Sequence, residues 1–122
     1  MKRVDLMQVE NKASELAKIL DKKLAENVVV LKVDNITSIT DYYVIATAKN
    51  TTHAKALCDE IEEKMQKLAV SPKSIEGYQS AMWILMDFEN VIVHIFYDET
   101  RKFYDLERLW ADAERIKIDL NN

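Results

Sequence analysis

The segment from Met82 to Tyr97 (MWILMDFENVIVHIFY) constrains the fold of this chain more than any other. It holds two largely apolar runs, 82–88 and 91–97, separated only by Glu89 and Asn90. Short runs rich in β-branched and aromatic residues predict strands, and strands as apolar as these belong inside a sheet. A connection of two residues predicts an antiparallel hairpin. The fold is therefore expected to contain a sheet around this hairpin.

The two-residue connection also predicts which side chains share a face. It sets Leu85 opposite His94 and Trp83 opposite Phe96, and side chains alternate between the two faces of a sheet. The opposite face should be almost wholly apolar and meet helices. The first face, called the mixed face below, combines apolar, aromatic and ionisable groups: Trp83, Leu85, Asp87, Ile92, His94 and Phe96.

The polar groups of the mixed face allow two interpretations. A carboxylate beside an imidazole is often a structural pair, and Trp83 could equally belong to a core. Alternatively, large aromatics with a few polar groups resemble the centre of a protein interface. The sequence leaves both interpretations open.

The remaining segments predict a single mixed α/β domain. Apolar residues at helical spacing predict helices over residues 8–26 and 52–68. Further strands are expected at 28–33, 42–47 and, at an edge, 74–77. A short helix is expected at Leu106–Ala113, and the final segment IKIDLNN, residues 116–122, has no clear structure. The second helix can serve as a crossover that makes one strand pair parallel, so the sheet should be mixed and flanked by helices.

Composition excludes several classes of function. The net charge of −4 and the pI of about 5.2 disfavour sequence-independent nucleic-acid binding. The single cysteine, Cys58, permits neither an internal disulfide nor a cysteine-based zinc site, and it suits a reducing cytoplasm. The single glycine, Gly77, excludes a glycine-rich phosphate loop. The sequence shows no secretory signal or membrane span.

Candidate catalytic groups are few. Asp87 and Glu89 form an acid-x-acid step that could hold a metal ion, which makes a metal-dependent nucleotidyltransferase-like enzyme an alternative function. Cys58 lies on the apolar stripe of its helix and is expected to be a buried, inert thiol. Ser38, Asp41 and His94 could form a triad on paper, but no nucleophile-elbow pattern supports one.

A series of motifs, in order and spacing, resembles the ribosomal silencing factor (Iojap-like) family over about residues 8–112. The motifs are Asp41–Thr47 (DYYVIAT), His53, Glu76-Gly77, Trp83-Ile84-Leu85-x-Asp87, Val91–Phe96 (VIVHIF) and Arg101-x-Phe103-Tyr104-x-Leu106-Glu107-x-Leu109-Trp110. Two positions depart from the family pattern: Ala48 and Glu89 stand where glycine is usual.

The resemblance implies one silencing-factor domain over residues 1–122, with a topology similar to nucleotidyltransferases but without catalysis, cofactor or metal. It implies a cytoplasmic repressor of translation that binds large-subunit ribosomal protein L14 and sterically blocks joining of the small subunit, chiefly when nutrients are scarce. It also implies a homodimer when free. An acidic factor would suit a basic ribosomal protein. A homodimerising scaffold remains a further alternative.

On this interpretation, the mixed face binds the partner. Trp83 and Leu85 would be apolar anchors, Asp87 would pair with a cation on the partner, and His94 would orient Asp87. A docking rim would follow further along the chain, formed by Tyr104, Leu106 and Trp110.

Overall fold

The computed structural model describes residues 8–97, 111–118 and 120. Within them the helices are α1 (Val9–Lys22) and α2 (Thr51–Gln66). The strands are β1 (Glu26–Lys32), β2 (Tyr42–Ala48), β3 (Ser74–Glu76), β4 (Trp83–Asp87), β5 (Val91–Tyr97) and β6 (Glu114–Arg115).

The strands form one six-stranded sheet in the order β3-β4-β5-β2-β1-β6. Strands β2 and β5 are parallel, and the other neighbouring pairs are antiparallel. The helix α2 lies in the connection that joins β2 to the later strands, so it provides the crossover that a parallel pair requires. The predicted mixed α/β sheet is confirmed.

The hairpin register is the predicted one. Trp83 pairs with Phe96, Leu85 with His94, and Asp87 with Ile92. The alternation of side chains then continues across the sheet. The residues that join the mixed face from β1 and β2 pack in one cluster with Ile92 and Phe96: Val29, Leu31, Tyr43 and Ile45.

Both helices pack on the opposite face of the sheet. The inward residues of α1, such as Leu16 and Leu20, are fully buried, as are Leu57 and Ile61 of α2. They share one cluster with the inward side chains of three central strands: Val44, Ala46, Ile84, Met86, Val93 and Ile95. The main core therefore lies between the helices and this face, which leaves the mixed face on the side away from them.

The helix boundaries differ from the predicted ones. The first helix ends at Lys22 instead of residue 26, because Leu24 adopts a left-handed φ of 68° and the Ala25 N–H donates a hydrogen bond to the Leu20 carbonyl oxygen. The second helix begins at Thr51, where the Asn50 side chain accepts the His53 N–H at 2.7 Å.

The C-terminal predictions are partly wrong. Residues 114 and 115, for which the sequence predicted no element, form β6, in which Arg115 and Glu114 pair with Leu31 and Lys32 of β1. The pairing was missed because a strand of two residues has no detectable periodicity. The predicted helix 106–113 falls mostly outside the described residues, and its last three positions, 111–113, form a turn and a bend.

Candidate protein-binding face

The hairpin brings the predicted residues Trp83, Leu85, Asp87 and His94 onto one face, as expected. Trp83, Leu85 and Asp87 alternate along β4 and are half-buried, whereas His94 is only 5% exposed. The other three predicted residues, Tyr104, Leu106 and Trp110, lie outside the described residues.

An aromatic cluster surrounds His94. The indole of Trp83 stacks on Phe96 with ring centroids 4.9 Å apart, and Tyr43 meets the His94 ring edge-on, also at 4.9 Å. The Trp83 Nε1–H donates a hydrogen bond to His94 Nδ1 at 3.0 Å. Offset and edge-on arrangements are the favourable ones for aromatic rings, so these contacts hold Trp83 in one orientation.

The hydrogen bond determines the chemical state of His94. An indole nitrogen can only donate, so His94 Nδ1 must be unprotonated and the neutral ring carries its proton on Nε2. Burial lowers the pKa of His94 to about 4, which keeps the ring neutral near pH 7. The Nε2 atom is buried and has no hydrogen-bond partner among the described residues.

The expected pairing of His94 with Asp87 is therefore wrong. His94 Nδ1 accepts the hydrogen bond from Trp83, and neither ring nitrogen forms a hydrogen bond with the Asp87 carboxylate. Asp87 is oriented instead by the hairpin turn, because its Oδ1 accepts the Glu89 N–H at 2.7 Å. The same state of His94 argues against a triad with Ser38, since a ring with Nδ1 occupied and Nε2 protonated has no lone pair to serve as a base.

The alternative metal site gains no support from the described residues. Within them, the group of three acids, cysteines or histidines close enough to share an ion is Cys58, Asp59 and Glu62 on α2, which includes neither Asp87 nor Glu89. Burial raises the pKa of Cys58 to about 12, so its thiol stays protonated and is a poor metal ligand. The expectation that Cys58 is buried is confirmed.

His53, a residue of the family motif, has a structural role. Its Nδ1 accepts the Lys49 N–H at 3.0 Å, and its Nε2 lies 2.8 Å from the carbonyl oxygen of Lys23 at the end of α1. A neutral ring with its proton on Nε2 satisfies both contacts. His53 thereby joins the start of α2 to the end of α1.

One residue of the mixed face was not anticipated. Glu76 on the edge strand β3 pairs with Leu85, and residues directly opposite on neighbouring strands point to the same side. The sequence placed a short edge strand here but offered no signal for its pairing register. The structure therefore adds an exposed acid beside Leu85.

The fold is that of an α/β domain with a mixed six-stranded sheet and two described helices on one face. A family model described as "Ribosomal silencing factor during starvation" matches residues 7–122. The chain belongs to this family. No described helix is long and apolar enough to cross a membrane.

Individual relatives agree with this assignment. Ribosomal silencing factors of Halalkalibacterium halodurans and Bacillus subtilis are 34% and 32% identical, covering 82% and 81% of this chain and 86% and 84% of theirs. A crystal structure of a protein from Chromobacterium violaceum superimposes with a TM-score of 0.81 at 26% identity, over 94% of this chain and 95% of that one. A second, from Bacillus halodurans, has a TM-score of 0.74 at 31% identity, over 85% and 95%.

Proposed function

We propose that this protein represses translation by binding large-subunit ribosomal protein L14 through the mixed face. The bound protein would stand between the subunits and sterically block their association. Family membership supports ribosome silencing as the general role. The choice of L14 and of steric blocking extends the resemblance seen in the sequence motifs.

The observation that carries the proposal is the arrangement of Trp83, Leu85 and Asp87. Two half-buried apolar side chains stand beside a carboxylate whose Oδ2 has no hydrogen-bond or ion-pair partner among the described residues. Interface centres combine aromatic anchors with a few polar groups that set the register. Trp83 is already oriented by His94, so little conformational entropy would be lost on binding.

Charge and relatives support a ribosomal partner. The net charge of −4 complements a basic ribosomal protein and favours encounter with it. A mouse relative, 30% identical over 79% of this chain and 43% of its own length, is named mitochondrial assembly of ribosomal large subunit protein 1. Its name connects that protein with the large ribosomal subunit.

The remaining parts of the proposal concern state and location. The protein would act without catalysis, cofactor or metal, in the cytoplasm, and would form a homodimer when it is not on the ribosome. Its action would be greatest when nutrients are scarce. Tyr104, Leu106 and Trp110 would extend the binding face as a docking rim.

Sedimentation of purified ribosomal subunits at associating Mg²⁺ tests the proposal. We expect the protein to sediment with the large subunit and to reduce the joined peak. Trp83→Ala should weaken binding by at least ~2 kcal/mol, or about thirtyfold, as truncation of an interface anchor does. Leu68→Ala is the control, because Leu68 is an exposed apolar residue beyond the end of α2.

Two results would contradict the proposal. If the protein stays at the top of the gradient while the subunits join normally, the ribosomal role is wrong. If Trp83→Ala folds normally and binds within about twofold of the unaltered protein, the assignment of the mixed face is wrong.

A further inference from the structure

The turn of the β4–β5 hairpin is attached to α1, which lies on the opposite side of the sheet from the mixed face. The Nζ of Lys12 donates a hydrogen bond to Oδ1 of Asn90 at 3.0 Å, although the two residues are 78 positions apart. Lys12 is half-buried. A side chain of the first helix therefore reaches the turn from behind the mixed face.

Asn90 connects this contact to the rest of the sheet. Its backbone carbonyl oxygen accepts the N–H groups of Asp41 and Tyr42, both at 3.1 Å, and its own N–H donates to the carbonyl oxygen of Phe88 at 3.0 Å. These bonds join backbone groups, so they do not depend on the side chain at position 90. The bond from Lys12 does depend on it, and it therefore ties the position of the turn to two particular side chains.

The turn needs such support, because its backbone is strained. Glu89 has a left-handed φ of 75°, a conformation that is unfavourable for residues with a Cβ and that persists where surrounding contacts hold it. The Glu89 N–H donates to Oδ1 of Asp87 at 2.7 Å, so the orientation of the Asp87 carboxylate follows that of the Glu89 peptide group. A change in the turn would therefore also reorient the carboxylate on the mixed face.

The surroundings of Lys12 strengthen its contact with Asn90. Burial lowers the pKa of Lys12, and the nearby Glu89 carboxylate acts in the opposite direction. A charged donor that is partly shielded from water forms a stronger hydrogen bond than an exposed one. By contrast, the side chain of Lys23 is 52% exposed and lies 3.8 Å from Glu60, so water and salt screen that pair. The Lys12 contact is better suited than such a surface ion pair to hold a turn in place.

We propose that Lys12 is a positioning residue for the mixed face: it holds Asn90, and through the turn it orients the carboxylate of Asp87. Lys12 would act without touching the partner. The inference rests on the proposed ribosomal function and deepens it, because it makes a side chain of α1, on the far side of the sheet, part of what prepares the protein to bind.

The affinity of fluorescently labelled protein for purified large subunits tests the inference. Lys12→Met removes the hydrogen bond and keeps much of the side-chain length, and we expect it to weaken binding about three- to tenfold. Asn90→Ala removes the same bond from the side of the turn and should weaken binding to a similar extent. Lys18→Met is the matched control, because Lys18 is an exposed lysine on the same helix. It removes the same charge and should bind within about twofold of the unaltered protein.

A double-mutant cycle shows whether Lys12 acts through Asp87. In an Asp87→Ala background, Lys12→Met should change the affinity by less than about twofold, because the carboxylate that Lys12 orients is gone. The amide resonance of Glu89 provides a spectroscopic signature: it should shift in Lys12→Met and stay in place in Lys18→Met. All affinities are compared well below the thermal melting temperature of each variant, so that folded protein is measured.

The outcomes separate this inference from the proposed function. If Lys12→Met and Asn90→Ala lower the melting temperature but bind within about twofold of the unaltered protein, Lys12 has a structural role alone; the inference is wrong and the proposed function stands. If Lys12→Met weakens binding as much in the Asp87→Ala background as in the unaltered protein, Lys12 does not act through Asp87, and the inference is again wrong. If the unaltered protein does not bind large subunits, the proposed function is wrong and the inference falls with it.

Discussion

The indole Nε1–H of Trp83 donates to Nδ1 of His94 at 3.0 Å, across the hairpin formed by β4 and β5. The contact joins a half-buried aromatic side chain to a buried one. It fixes the orientation of the indole and, because indole cannot accept, it also fixes the tautomer of the imidazole. His94 is thus a positioning residue for Trp83.

Replacing His94 tests this relationship. His94→Phe keeps the ring volume, loses the hydrogen bond from Trp83 and removes the Nε2–H, which has no partner in the described part of the chain. These effects oppose each other, so we expect the free energy of unfolding in urea to change by less than about 1 kcal/mol. The resonance of the Trp83 indole N–H should shift strongly. His94→Ala, which leaves a cavity, should instead cost about 3 kcal/mol. Equal destabilisation by both variants would contradict this account.

The stability of the protein should fall in mildly acidic solution. Burial lowers the pKa of His94 to about 4 in the folded state, against about 6.5 when the chain is unfolded. Between these values the unfolded chain binds a proton that the folded protein rejects. Above about pH 6.5, His94 therefore does not lower the free energy of unfolding. Between pH 6.5 and pH 4 it lowers the free energy of unfolding progressively, by about 3 kcal/mol in all.

Chemical denaturation across that pH range, compared with His94→Phe, isolates this contribution. The other titrating groups are common to both proteins, so the difference between the two curves reports His94 alone. We expect the variant to lose the slope in this window. A variant that follows the unaltered protein throughout would show that His94 does not titrate there.

Gly77 should not tolerate a side chain. It has a left-handed φ of 81°, and a Cβ at this position would lie 2.1 Å from the backbone oxygen of Trp83. Because the position of a Cβ is fixed by the backbone of residue 77 and the oxygen belongs to the backbone of Trp83, the clash cannot be relieved without shifting the start of β4. We expect Gly77→Ala to destabilise the protein by more than about 2 kcal/mol in urea denaturation and to weaken partner binding by displacing Trp83. If Gly77→Ala lowers the free energy of unfolding by less than about 0.5 kcal/mol, the turn can change its backbone conformation to accept a Cβ.

Glu89→Gly should act in the opposite direction. Glu89 lies in the hairpin turn with a φ of 75°, a conformation that costs residues with a Cβ roughly 1–2 kcal/mol. Glycine avoids that cost but loses more entropy on folding, so the net gain in the free energy of unfolding should be up to about 1 kcal/mol.

A second variant separates strain from charge at the turn. Glu89→Ala removes the carboxylate but keeps the Cβ, so it should bring no comparable stabilisation. If alanine and glycine stabilise the protein equally, relief of charge and not of backbone strain is responsible.

The sequence by itself determined the hairpin, its register and the division of its side chains between two faces. These features follow from local rules: a connection of two residues leaves one antiparallel register, and strand side chains alternate with a period of two. The crossover by α2 and the mixed sheet follow from element order and length in the same way. Residues close in sequence, or separated by one regular element, carry this information.

Only the tertiary structure decided which polar partners are used. His94 lies opposite Leu85, so Trp83 and Asp87 are both its diagonal neighbours, and the pattern cannot choose between them. In the folded hairpin the Asp87 carboxylate accepts a hydrogen bond from the Glu89 N–H, and His94 Nδ1 accepts one from the indole N–H of Trp83. The same holds for Glu76, whose place beside Leu85 depends on strand pairing across a loop, because long-range register is set by packing and has no local signal.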